Sequence, residues 1–271
     1  MKLSSLAPEF LRAFVRRRRY AKSNAGFAPE WVSKNLGGVS FEFLLGDATG
    51  RDWYAGQDDM SPELTFTRER MVAPGDVVLE CGAHHGFTTL LIANWMGERG
   101  RLVAFEASPL SAAILRQNVE RNRLGDRITV EAKAVGTGTG TLVFTEESNA
   151  VALTGRASQG VRVPVVGLDA YAPLAPTLVK LDVEGFEIEA LKGATQVLKR
   201  RPKLAIEVHV EMLRRYGHSA DEIFDHVPPA EYELWLQLGG TEAPRPWRGE
   251  KLAAQHMDQV HLYALPKGGE R

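Results

Sequence analysis

From Pro74 onward the chain alternates between two kinds of hydrophobic patterning. Short apolar runs rich in β-branched residues, namely DVVLEC (76–81), RLVAFEA (101–107), ITVEAKAV (128–135), TLVKLDV (177–183) and KLAIEV (203–208), have the length and composition of strands. Between them FTTLLIANWM, PLSAAILRQNVERN and FEIEALKGATQVLKR carry apolar residues at spacings of three and four, which predicts amphipathic helices. That alternation predicts βαβ units: an α/β fold, Rossmann-like, with a mostly parallel sheet and helices on both faces. Two further runs, YELWLQL (232–238) and DQVHLYALP (258–266), are joined by a linker without helical period. They are expected to pair antiparallel and to close the sheet with an antiparallel edge strand. Ahead of them SADE (219–222) predicts a capping box for a helix that Pro228 and Pro229 stop.

Residues 1–60 lack this order. Phe27, Trp31, Phe41, Phe43, Trp53 and Tyr54 are interleaved with Gly and Asp without a sustained period, so an irregular cap or lid over residues 61–271 is expected. GTGTG (136–140) is not followed by a helix or a Lys-Ser pair, and predicts a turn before the strand TLVFTEE instead of a phosphate loop.

Composition narrows the classes. The 271 residues are 44% hydrophobic and 25% charged with a formal net charge of −1, as expected of a soluble globular protein with no global attraction to nucleic acid. LRAFVRRRRYAK (11–22) is the local exception. Arg12, Arg16, Arg17, Arg18, Arg19 and Lys22 could bind an anionic lipid, glycan or nucleic acid or act as a targeting segment, and the favoured reading is the solvated face of a helix with Leu11, Phe14 and Val15 inward. A single cysteine, Cys81, excludes a disulfide framework and suits a reducing cytoplasm. No apolar run reaches the length of a membrane span, and no signal-peptide core is visible.

DVVLECGAHHGFTT brings in chemistry. A strand running into a glycine turn and a helix is where doubly wound sheets bind ligands, yet Glu80-x-Gly82-x-x-x-Gly86 is not the G-x-G-x-x-G of a dinucleotide site. The carboxylate of Glu80 would repel a pyrophosphate and would suit an ammonium group. Glu106 follows Gly86 by 20 residues, where such folds place an acid on ribose, and its two oxygens can accept from both ribose hydroxyls. A cationic amino-acid head beside a ribose describes S-adenosyl-L-methionine better than NAD. The candidate cofactor residues are Glu80, Gly82, Ala83, His84, Gly86 and Thr88 of the turn, Glu106 and Ala107, and Ala134 at the end of the third run.

In this order GDVVLECGAHHGFTTLLIA, GRLVAFEASP, LRQNVERN, KLDVEGFEIEALKGA and RPKLAIEVH resemble the FkbM-type family of class I S-adenosylmethionine-dependent methyltransferases. The likeness spans about residues 60 to 240, and KLDVEGFE is its most specific piece. It implies a seven-stranded methyltransferase fold and methylation of oxygen on a small hydroxylated acceptor such as a sugar, glycoside or polyketide-type natural product. Three positions depart from it: Glu80 stands where Asp is usual, His84 where Asn is usual, and Ala107 where Pro is usual.

An alcohol becomes a good nucleophile only when a base takes its proton or a metal lowers its pKa. Asp182 ends one strand, and Glu207 and His209 share a face at the end of the next. This trio is expected to activate the acceptor, with His209 as base. A divalent ion such as Mg²⁺ held by the same residues is the less favoured alternative, and a purely structural polar network a third. Glu187 and Glu189 read as acids dressing a helix start, Glu184 could face the site or the solvent, and Lys180 is expected to pair with Asp182. His84 and His85 should point apart, while His218, His226, His256 and His261 show no partner. A nicotinamide-dependent oxidoreductase and a non-catalytic cofactor-binding accessory protein are the competing readings. Oligomeric state is left open.

Overall fold

The computed structural model describes residues 9–145, 152, 160–255, 257 and 259–268. Helix α1 (Glu9–Asn24) forms as expected, with Arg18, Arg19 and Lys22 exposed. The side chains of Leu11, Arg12, Phe14, Arg16 and Arg17, and His256, lie outside what is described.

The N-terminal region is regular, contrary to expectation. Strands β1 (Glu30–Leu36) and β2 (Val39–Leu45) form an antiparallel hairpin, followed by α2 (Ala48–Tyr54) and α3 (Pro62–Phe66). β2 buries Val39, Phe41, Phe43, Leu44 and Leu45, leaving Ser40 exposed and Glu42 partly so. A hairpin is specified by period two, which a search for helical period passes over.

The main sheet has strands β3 (Val77–Cys81), β4 (Arg101–Phe105), β5 (Ile128–Glu131), β9 (Leu178–Leu181), β10 (Lys203–His209), β11 (Tyr232–Leu238), β12 (Arg245–Pro246) and β13 (Gln259–Pro266). Their order is β12-β11-β13-β10-β9-β3-β4-β5. Seven strands of four residues or more are joined by a two-residue eighth at the edge, so the expected count of seven is short by one. β13 runs antiparallel to both β10 and β11 and lies between them. The last strand is therefore antiparallel but interior, and the identity of the antiparallel edge is corrected: β12, drawn from the linker and antiparallel to β11, takes it. ITVEAKAV divides, because β6 (Ala134–Val135) leaves the main sheet to join β8 (Val161–Val166) and β7 (Gly140–Phe144) in a separate three-stranded sheet.

Helices α4 (Phe87–Trp95), α5 (Pro109–Arg121), α6 (Glu187–Lys192), α7 (Thr195–Leu198), α8 (Val210–Arg215) and α9 (Ile223–His226) complete the layers. The expected capping box at Ser219 and Glu222 is present ahead of α9. Alternate strand residues feed two cores. Leu79, Val103, Val179 and Ile206 pack with Ile188 and Leu191 of α6, whereas Val78, Leu102, Leu178 and Ala205 pack with α4 and the hairpin residues Phe41 and Phe43. The N-terminal hairpin thus covers the second face of the sheet. Among the described residues no helix is long and apolar enough to cross a membrane.

Candidate active site

On the face covered by the hairpin, each central strand starts apolar and turns polar at its carboxyl end. β3 passes from Val78 to Glu80, β9 from Leu178 to Lys180 and on to Asp182, and β10 from Ala205 to Glu207 and His209. Antiparallel β13 sets His261 opposite Glu207 and Gln259 opposite His209. A cleft of 520 Å³ opens over this row. It is lined by Glu80, Gly82, Ala83, His84, Thr88, Glu106, Ala107, Ala134, Asp182 and Glu207 from the sequence-derived set, leaving Gly86 and His209 just behind its wall.

The β3 turn is built by close backbone approach. Gly82 has φ +85°, and a Cβ there would stand 1.7 Å from the carbonyl oxygen of Asp182. Only glycine lets the ends of β3 and β9 meet so closely. The turn amides are already engaged: Gly82 and Ala83 donate to Phe105 O at 2.9 and 3.0 Å, Gly86 donates to Ala83 O at 2.8 Å, and His84 N donates to Glu106 Oε2 at 2.7 Å. These four amides are not open to a pyrophosphate, in keeping with the departure from G-x-G-x-x-G.

Glu106 is buried, and its second oxygen accepts from Ser108 N at 2.7 Å. Burial pushes its carboxyl up to about 7, against the amides of Ser108 and His84 that pull it down. Both oxygens are fixed by backbone donors and the residue lines the cleft, which suits a carboxylate that accepts from ribose hydroxyls. Glu80 is buried, accepts from Thr89 Oγ1 at 2.6 Å, and is raised by burial despite Lys180 alongside. Gly82, Ala83, Ala107 and Ala134 line the cleft with small side chains.

At the other end Lys180 Nζ lies 3.5 Å from Asp182 Oδ2, so the expected pair forms. Burial opposes the charge on Lys180, but Asp182, Glu63, Glu80 and Glu207 hold its pKa above the usual lysine value. His209 Nδ1 donates to Glu187 Oε1 at 2.8 Å. Its Nε2 faces Glu184 Oε2 at 3.7 Å, Glu207 Oε1 at 3.8 Å and Asp182 Oδ1 at 3.9 Å. Burial works against charging this ring, but the carboxylates of Glu187, Glu184 and Asp182 win and raise it to about 10. Asp182 would be raised by burial, yet Lys180 and His209 hold it below the ordinary carboxylate range; Glu207 is raised by burial and by Asp182. Of the two acids, Glu207 is therefore the one disposed to hold a proton and Asp182 the one disposed to stay ionised.

Asp182, Glu207 and His209 do converge, one polar atom from each lying within 4.8 Å of the others. An ion on all three would need Nε2 stripped of the hydrogen that three carboxylates favour, so the set fits a proton better than a divalent cation. The expectation that His84 and His85 point apart is overturned: with His84 at φ +49°, the rings stack at 4.0 Å and 14°. His84 Nδ1 meets the Tyr54 hydroxyl at 2.9 Å, and burial lowers both histidines, His85 to about 4. His218 is not partnerless, since Glu222 and Glu189 lie 2.9 and 3.1 Å away, and His261 faces Glu207 across the strand pair.

Sequence reasoning missed Glu187, Gln259 and Glu63 as members of this neighbourhood. Glu187 does stand in the first turn of α6 and accepts from Gly185 N at 3.0 Å, but it is fully buried, while Glu189 is partly exposed, bound to Lys192 at 2.8 Å and to Thr137. The available signal for Glu187 was its place within KLDVEGFE. Gln259 and Glu63 reach the cleft only through β13 insertion and α3 placement, which no local pattern announces.

Comparison with known families now bears on this geometry. A family profile described as the methyltransferase FkbM domain matches residues 80–234. The chain belongs to this family. The assignment carries S-adenosyl-L-methionine as the cofactor of the FkbM domain, matching the engaged turn amides and the buried Glu106. The chain is 34% identical over 70 residues to a ribosomal protein L11 methyltransferase of Chloroflexus aurantiacus, covering 26% of this chain and 21% of that protein. It thus spans about a fifth of the length of that curated relative. A methyltransferase FkbM crystal structure from Methylobacillus flagellatus KT is similar with a TM-score of 0.47 and 19% identity, over 75% of this chain and 53% of the other. An S-adenosylmethionine-dependent O-methyltransferase from Thermotoga maritima is similar with a TM-score of 0.43 and 13% identity, over 76% and 66%.

Proposed function

We propose that this FkbM-domain chain transfers a methyl group to a hydroxyl oxygen of a small molecule, of sugar, glycoside or polyketide type. When bound, S-adenosyl-L-methionine supplies an electrophilic methyl on a sulfonium. Glu106 would take the ribose hydroxyls and Glu80 would favour the cationic head, while Gly82 lets the ends of β3 and β9 come together beneath them. The observation that carries the reading is that one 520 Å³ cleft joins this carboxylate end to the Asp182 and Glu207 pair.

Displacement at a methyl is in line, so holding the acceptor oxygen near 3 Å supplies much of the rate. The ionised Asp182 accepts the hydroxyl proton, Glu207 is the acid disposed to hold a proton, and His209 balances the charge from behind. This moves the base from His209, as read from sequence, to Asp182, because a ring held protonated to about 10 has no lone pair to offer at neutral pH. Trp53, Tyr54 and Gln57 line the cleft from the N-terminal region, which supports reading residues 1–60 as part of the acceptor pocket or lid over a domain of residues 61–271. The one described cysteine is a buried free thiol, which suits a reducing cytoplasm.

Isothermal titration with S-adenosylhomocysteine should show saturable binding, and methyl-tritiated S-adenosylmethionine should label a glycoside within a panel of hydroxylated acceptors. Binding of NADH in place of S-adenosylhomocysteine would sink the reading.

A further inference from the structure

A glutamate in the first turn of a short surface helix is normally solvated, and Glu189 two residues on behaves so. Glu187 does not: it is 0% exposed. Its Oε1 accepts from His209 Nδ1 at 2.8 Å and from Gly185 N at 3.0 Å, and Oε2 is buried with no hydrogen-bond partner among the described residues. Taking a carboxylate out of water is costly unless it is paired, so a cap on one amide is a poor reason to bury it. A carboxylate oxygen accepts, hence the ring hydrogen sits on Nδ1 and the ring plane is set from behind.

We propose that Glu187 is a positioning residue, pinning the His209 imidazole by Nδ1 so that Nε2 is aimed at the carboxylates that meet the acceptor. The groups facing that ring are Glu187 from α6, Asp182 and Glu184 from the β9 turn, Glu207 from β10 itself, and Gln259 Nε2 from β13 at 3.4 Å. Lys180 stands behind Asp182, and His261 lies across from Glu207. An unanchored ring would turn toward Gln259 and leave the acid pair without its counter-charge. The inference rests on the Asp182 reading above, but its first test does not need that reading to hold.

The test uses the full chain labelled with ¹⁵N-histidine and long-range ¹H–¹⁵N correlation, with His209→Gln to assign the ring. In the wild type, His209 should show a hydrogen on Nδ1 that persists at pH 8. Glu187→Gln, which keeps shape and removes charge, should lose that signature while S-adenosylhomocysteine binding is retained. Once an acceptor is found in the glycoside panel, kcat should fall roughly 10- to 100-fold with KM little changed. Glu187→Asp keeps the charge one methylene short, and should recover part of kcat. An unchanged His209 signal in Glu187→Gln overturns the inference, as does full kcat. Should Glu187→Gln fail to fold, the wild type decides, with a His209 ring that carries no hydrogen on Nδ1 at pH 8 overturning the inference. Failure of the wild type to bind S-adenosylhomocysteine instead strikes the proposed function and leaves the ring assignment standing.

Discussion

The two ends of the cleft hold carboxylates by different means. At the β3 and β4 end, Glu106 is fixed by the amides of His84 and Ser108, and Glu80 by the Thr89 hydroxyl. At the β9 and β10 end, Asp182 and Glu207 are balanced by formal charges on Lys180 and His209. Neutral backbone donors are fixed by the chain path and are indifferent to pH, whereas a cluster of opposite charges depends on the protonation of every member. The first arrangement suits a cofactor whose shape never varies. The second suits a group that must take a proton and give it up.

The contrast can be broken at several points. Gly82→Ala should do the greatest damage. The left-handed φ costs on the order of 1–2 kcal/mol for a residue with a Cβ, and the Asp182 carbonyl must also move. Loss of S-adenosylhomocysteine binding together with a lowered melting temperature is the expected result. Asp182→Asn should leave the amide-held end intact: S-adenosylhomocysteine affinity stays, while turnover falls about 10²–10⁴-fold. Similar losses in affinity and turnover would show that the two ends are not separable.

Glu106→Gln should reverse that pattern, weakening S-adenosylhomocysteine by about 1.5–3 kcal/mol as a charged acceptor is lost. Wild-type affinity should rise with pH around 7 as Glu106 ionises, and the variant should lose that dependence in calorimetry at pH 6 and 8.

The pH profile of apo-protein stability sharpens the comparison. Glu106 and His209 both have folded pKa values above their ordinary ones, so the native state binds more protons and stability falls with rising pH. The Glu106 contribution is present below about 4.5 and is lost through about 7; that of His209 is present below about 6.5 and is lost through about 10. Melting scans should show the upper limb shrink in His209→Gln and the lower one shrink in Glu106→Gln, with Lys180, Glu80 and Glu207 supplying what remains. The smallest effect expected is none: EDTA should leave turnover unchanged. Activity lost to chelator and restored by Mg²⁺ would replace Asp182 with a metal as the activating group.

Much of this architecture was legible in the pattern. The run-and-helix alternation from Pro74 is written in side chains that must be buried on one period or another, and the strand-end acids Glu80, Glu106, Asp182 and Glu207 follow from where each run stops. The hairpin at 30–45 escaped because alternation across two short strands competes with scattered aromatics. The splitting of ITVEAKAV escaped because nothing local marks β6 leaving the sheet.

What the sequence determined by itself was therefore local: which segments are strands, where each turns polar, and that a glycine turn follows β3. Tertiary structure alone decided the insertion of β13 between β10 and β11, the burial of Glu187, and the charge on His209. The reason is electrostatic as well as topological. A histidine's protonation is set by every group around it, and the carboxylates around His209 come from three separate elements, so no reading along one strand could sum them.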